Sequence, residues 1–191
     1  VALPESVRRW FIPLSRGDLR LAEAKASLAP IGLPQEAIPL IVRLVENPAF
    51  DLPGVEIFSG AATLDTHDCI HALLGRGLLP KDEAFVLGFT MGSTNRVGAI
   101  EERLYGLFAR YLYPKAYRFS DEDFQVYKDA VRLGYVSDCR SLAEVDYAAL
   151  MDLTLDEGRA ALGIEASLLR AYYEIEKRRY PGSPESQRLL D

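Results

Sequence analysis

Histidine is nearly missing from this chain: 191 residues contain only two. Cysteine is equally scarce. Cys69 and Cys139 are too few for the disulfide framework that staples small secreted domains, so a reducing cytoplasm is the expected setting. Basic charge is also in deficit. The 22 Lys and Arg residues against 28 Asp and Glu give a formal charge of -6, so no basic field exists to gather phosphates, and nucleic acid is excluded as a partner. Long hydrophobic runs are lacking as well. The best apolar stretch, "AIPLIVRLV", is cut by Arg43 and closed by Glu46, far short of the roughly 20 residues that span a bilayer. The opening "VALPESVRRWFIPL" has no apolar core followed by a small-residue cleavage site, so no secretory signal is expected. Strand-like alternation is confined to "GVEIFSG" at 54–60.

What is present reads as helices between short breaks. Pro34 opens "PQEAIPLIVRLVE" and Asn47-Pro48 closes it. "EERLYGLFARYLYP" is amphipathic, with Leu104, Leu107, Phe108, Tyr111 and Leu112 at helical spacing and Pro114 as a stop. In "SDEDFQVYKDAVRLG", Ser120 and Asp123 have capping-box spacing, Phe119 and Phe124 occupy staple positions, and Gly134 is the expected end. Thr154, Glu157 and Gly163 mark another start and stop, and "EASLLRAYYEIEKRRY" then runs to Pro181 with basic residues late, as the helix dipole favours. Tyr172 and Tyr173 are expected in the core. The fold class is therefore mainly α: one domain over residues 1–191, a helical bundle, with residues 181–191 expected as a frayed tail.

Both histidines fall in one stretch, "HDCIHALLGRGLLPKDE" at 67–83. A helix here, ended by Gly75, places residues 67, 68 and 71 at about 0°, 100° and 40° around its axis, so two imidazoles and a carboxylate share one flank. Gly75, Gly77 and Pro80 build a turn, and "KDEAFVLGF" begins a second helix returning antiparallel to the first, with Glu83 in its first turn. His67, Asp68, His71 and Glu83 thus form a candidate metal-ligand set for a divalent transition metal, zinc by default. If all four coordinate, the site is closed and structural. If Asp68 instead holds a histidine from behind, a position stays open for water or substrate. Where not coordinated, Asp68 and Glu83 are the candidate proton carriers. Cys69 points about 200° from His67 and is expected to pack. Arg76 and Lys81 read as surface charges of the turn, close enough to hold an anionic ligand head group.

His67, Asp68, His71 and Glu83, with eleven residues between the last two, reproduce the pattern H-D-x-x-H-x11-E. In this the chain resembles the coenzyme Q biosynthesis protein 4 family, required for ubiquinone synthesis. The resemblance is carried by residues 60–95 and implies an α-helical fold with those four residues as metal ligands. It also implies a peripheral membrane protein that binds a prenylated quinone precursor or other isoprenoid lipid, organises quinone-biosynthetic enzymes, and is linked to oxidative removal of the ring carboxyl at C1. An apolar groove lined by "AIPLIVRLV" and "LYGLFARYLY" would suit such a ligand. Self-association as a homo-oligomer through an amphipathic helix face is a further expectation.

Three function classes compete on these residues. A metalloenzyme of quinone biosynthesis needs an open coordination position, and a non-enzymatic lipid-binding scaffold needs only a closed site. Metal-dependent hydrolysis is the weakest: the "HD" phosphohydrolase pattern requires a histidine that this chain lacks, and Asp68 is one methylene shorter than the glutamate of H-E-x-x-H proteases.

Overall fold

The computed structural model describes residues 3–28, 31, 64–95 and 119–191. Among them eight α-helices follow one another: α1 (Glu5–Arg9), α2 (Leu21–Ala26), α3 (Leu64–Leu74), α4 (Pro80–Ser93), α5 (Asp121–Val136), α6 (Leu155–Leu162), α7 (Ala166–Arg179) and α8 (Pro184–Gln187). Two 3-10 turns, Leu142–Glu144 and Tyr147–Leu150, link α5 to α6. No strand occurs among the described residues, where an antiparallel bridge between Arg20 and Thr154 is the one β contact. The fold is mainly α, as the sequence predicts. The expected helices at 34–46 and 101–114, the strand candidate at 54–60 and the groove they would line fall outside the described residues.

Local signals explain where the helices begin and end. At α5 the Ser120 hydroxyl accepts the Asp123 N–H at 3.2 Å and the Asp123 carboxylate accepts the Ser120 N–H at 2.8 Å, a reciprocal cap that satisfies two otherwise orphaned donors. Thr154 and Glu157 repeat the device at α6, which ends on Gly163 at φ +71°. At the end of α3 the Arg76 N–H returns to the His71 carbonyl at 3.0 Å and the Gly75 N–H to Ala72 at 3.3 Å, with Gly75 at φ +66°. That is a Schellman ending, and the left-handed backbone explains the glycine.

Gly134 does not end α5. The helix continues to Val136, and Gly134 is buried inside it. A methyl group there would collide with the Phe89 carbonyl, just as methyls on Gly88 and Gly92 of α4 would strike the carbonyls of Tyr127 and Val131. Three glycines therefore let the α4 and α5 backbones approach closely. Gly134 is a packing residue rather than a helix stop.

One apolar core joins these elements. Leu73, Phe85, Phe89, Val126 and Tyr173 lie within it, with the Phe85 ring stacked on Phe89 at 5.9 Å and on Tyr172 at 5.4 Å. Both tyrosines of the pair 172 and 173 are core, as predicted.

The tail is not frayed. Residues 184–187 form α8, Leu189 is fully buried, and Ser186 donates to the Glu176 carboxylate at 2.9 Å. A short polar ending looks unattached when only its composition is considered. Here its polar groups meet buried partners supplied by other helices. Among the described residues no helix is long and apolar enough to cross a membrane.

Candidate metal centre

The four-residue spacing on α3 sets His67 and His71 one turn apart, with ring centroids 4.5 Å from each other and planes at 87°. Cys69 between them is fully buried on the packing side, as its helical angle predicts. The Schellman ending then stops α3. Pro80 opens α4 at its first position, where its missing N–H costs nothing. Glu83 follows in the first turn and comes back to the histidines.

The convergence is tight. His67 Nε2 lies 3.0 Å from Glu83 Oε2, His71 Nε2 lies 3.3 Å from Glu83 Oε1, and the two Nε2 atoms are 2.9 Å apart. All three residues are buried, and their ligand atoms gather within 4.8 Å of one another. Trp10 closes one side, its ring edge-on to His71 at 6.4 Å.

Charge follows this geometry. Burial alone would raise the Glu83 carboxyl, but the fields and hydrogen bonds of His71 and His67 outweigh it and hold the group down to about 2. Burial works against a charge on His71. Glu83, with help from Asp68 and Asp82, more than compensates, and the imidazole moves above its ordinary value.

Protons do not satisfy all three contacts at once. If His71 Nε2 donates, the His67 lone pair faces an ionised carboxylate oxygen at 3.0 Å. If His67 donates, the His71 lone pair faces the other oxygen at 3.3 Å, and if both carry protons, two N–H groups meet at 2.9 Å. A cation accepts all three donor pairs together. In a tetrahedral zinc site with Zn–N bonds of about 2.0–2.1 Å the ligand atoms stand ~3.3 Å apart, close to the separations found here. The three donors could therefore hold a metal ion.

Asp68, the fourth predicted ligand, is half-buried and is not one of the residues that gather. Burial raises its carboxyl pKa, partly offset by His71 and His67. Arg76 and Lys81 are not surface charges of the turn. Arg76 is fully buried, its guanidinium 4.0 Å from the Phe85 ring centroid and paired with Glu176 through Nη1–Oε1 at 3.0 Å. Lys81 is buried, 2.7 Å from the Glu122 carboxylate and 4.3 Å over the Tyr180 ring. Both cations are thus engaged within the chain rather than presented to an anionic head group.

The residues that sequence reasoning missed are those that hold the turn in place. Arg159 is buried, its Nε donating to the Leu73 carbonyl at 2.8 Å and its Nη1 to Leu14 at 3.2 Å. Asp82 is fully buried and paired with Arg188. No local pattern announces either, because each depends on a partner 86 or 106 positions away.

No protein-family model, curated protein or solved structure matches this chain.

Proposed function

We propose that this chain is a metal-binding protein of prenylquinone biosynthesis, of the coenzyme Q biosynthesis protein 4 type, with His67, His71 and Glu83 holding a divalent transition metal, zinc in the first place. One observation carries the reading: two imidazole nitrogens and a carboxylate converge in a buried site where protons leave a contact unsatisfied. The H-D-x-x-H-x11-E pattern supports the quinone assignment.

Among the described residues three donors gather, the number typical of catalytic zinc sites, where closed structural ones have four, and this favours the enzymatic reading over the scaffold. A bound ion supplies Lewis acidity toward a carboxylate or ring oxygen of the substrate. His67 and His71 bind, and Glu83 binds and neutralises. Asp68, half-buried with its carboxyl pKa raised chiefly by burial, is the group placed to hold or deliver a proton beside them. The substrate is a prenylated aromatic acid, and the reaction is oxidative removal of its ring carboxyl at C1: the carboxyl leaves as carbon dioxide, a hydroxyl from water takes its place on the ring, and dioxygen accepts the two electrons and two protons as hydrogen peroxide, the zinc itself being redox-inert.

Elemental analysis of protein purified without chelator, with mass spectrometry of its organic extract, tests this. One equivalent of transition metal, lost in His71→Ala, together with a prenylated aromatic in the extract, is the expected result. Full metal occupancy in His71→Ala would sink the ligand assignment. Bound metal without prenyl lipid, and no rescue of a quinone-deficient host, would sink the quinone assignment and leave the metal site standing.

A further inference from the structure

Glu83 is not held by the histidines alone. Its neighbour Asp82 is fully buried, and the two carboxylates share the first turn of α4. Asp82 Oδ2 accepts the Leu79 N–H at 3.3 Å, which starts the helix, and meets Arg188 Nη2 at 2.5 Å. Its Oδ1 stands 3.9 Å from Arg76 Nη1, a cation already engaged by Glu176 at 3.0 Å.

Arg188 is itself fixed on several sides. Its Nη1 donates to the Arg8 carbonyl at 3.2 Å, and its guanidinium lies 4.7 Å from the Phe11 ring centroid. Gly77 leaves the space that the guanidinium occupies: a methyl there would collide with Nη2. The two ends of the described chain therefore meet at the α3–α4 turn, the segment that joins the histidines to Glu83.

We propose that Arg188 is a positioning residue for the metal centre: through Asp82 it fixes the first turn of α4 so that Glu83 faces Nε2 of His67 and Nε2 of His71. The inference rests on the metal-binding reading above. A buried carboxylate deprived of its close cation is driven toward water. Asp82 and Glu83 are consecutive on one helical turn, so Asp82 cannot swing outward without carrying Glu83 off the histidines. Arg76, at 3.9 Å and committed to Glu176, does not replace the lost contact.

The test is zinc affinity of the purified full chain, by competition with a chromogenic chelator, alongside the visible spectrum of the cobalt(II)-loaded protein. Arg188→Ala should weaken zinc binding by about 10–100-fold, the usual effect of losing a residue that orients a ligand, and should shift the cobalt bands. Arg188→Lys, which keeps the charge, should recover part of the affinity. Ser120→Ala, which weakens the α5 cap without touching Asp82 or Arg188, should bind zinc as the parent does. Parent-like affinity and an unchanged cobalt spectrum in both Arg188 variants would overturn the proposal. If Arg188→Ala does not fold, the cobalt spectrum of Arg188→Lys decides, shifted bands supporting the proposal and unshifted bands overturning it. A parent chain that binds no zinc would instead overturn the metal reading itself, and this inference with it.

Discussion

Arg76 and Glu176, a hundred positions apart in the chain, face each other as a fully buried ion pair with Nη1–Oε1 at 3.0 Å. The guanidinium lies between Phe85 and Tyr173, its carbon 4.0 and 4.4 Å from the two ring centroids, and Ser186 donates to the same carboxylate at 2.9 Å. A pair so deep has given up its hydration, so its value lies in where it places α7 against the α3–α4 turn. Glu176→Ala should destabilise the fold by ~3–5 kcal/mol, because it leaves a buried guanidinium uncompensated. The double variant Arg76→Met with Glu176→Leu should regain most of that loss. Urea unfolding of the two variants and the parent measures both, and a double variant no better than the single one would show that the pair itself is needed.

Removing the residues after Gly182 should be costly, contrary to what composition suggests. The cut deletes Leu189, whose burial contributes ~1.5–3 kcal/mol, and takes Arg188 from the buried Asp82. A total loss of ~3 kcal/mol or more corresponds to a fall in Tm of roughly 6–12 °C for a chain of this size. Thermal unfolding followed by circular dichroism reads it directly, and an unchanged Tm would mean that the tail contributes nothing to the fold.

The glycines between α4 and α5 should tolerate no side chain. Gly92→Ala places a methyl against the Val131 carbonyl, a backbone atom that yields only if the helices part. Overpacking of this kind costs ~1–3 kcal/mol. Gly182→Ala, with open space around the added methyl, is the matched control and should stay within ~0.5 kcal/mol of the parent. Equal stabilities of the two variants would refute the close approach of α4 and α5.

Both thiols should be inert in the folded protein. Burial pushes Cys69 up to about 11 and Cys139 up to about 12, so almost no thiolate exists at pH 8. Iodoacetamide should label neither cysteine in native buffer and both in concentrated urea, as read by intact-protein mass spectrometry. Rapid native labelling of Cys69 would place it on an open face of α3 instead of in the core.

Much of the local structure was written in short stretches. Capping pairs such as Ser120 with Asp123 and Thr154 with Glu157, and glycines that end α3 and α6, act within a few residues. Their physics is complete in the sequence window that contains them. The same holds for His67 and His71, whose four-residue spacing on a helix determines that they are neighbours, and for Glu83, returned by a turn marked with glycine and proline. Other features depend on distance in the chain. Gly134 is a packing residue because α4 presses on α5, and Asp68 stands apart from the gathered ligands although it sits between them in sequence. Arg76 and Lys81 are buried, and Arg188 half-buried, because carboxylates on other helices come to meet them. The sequence by itself determined the capped starts of α5 and α6, the glycine ends of α3 and α6, and the three donors that gather, since these follow from helical periodicity and local hydrogen bonding. Only the tertiary structure decided which charges face water and which are paired inside, since burial and long-range pairing exist only once the helices have packed.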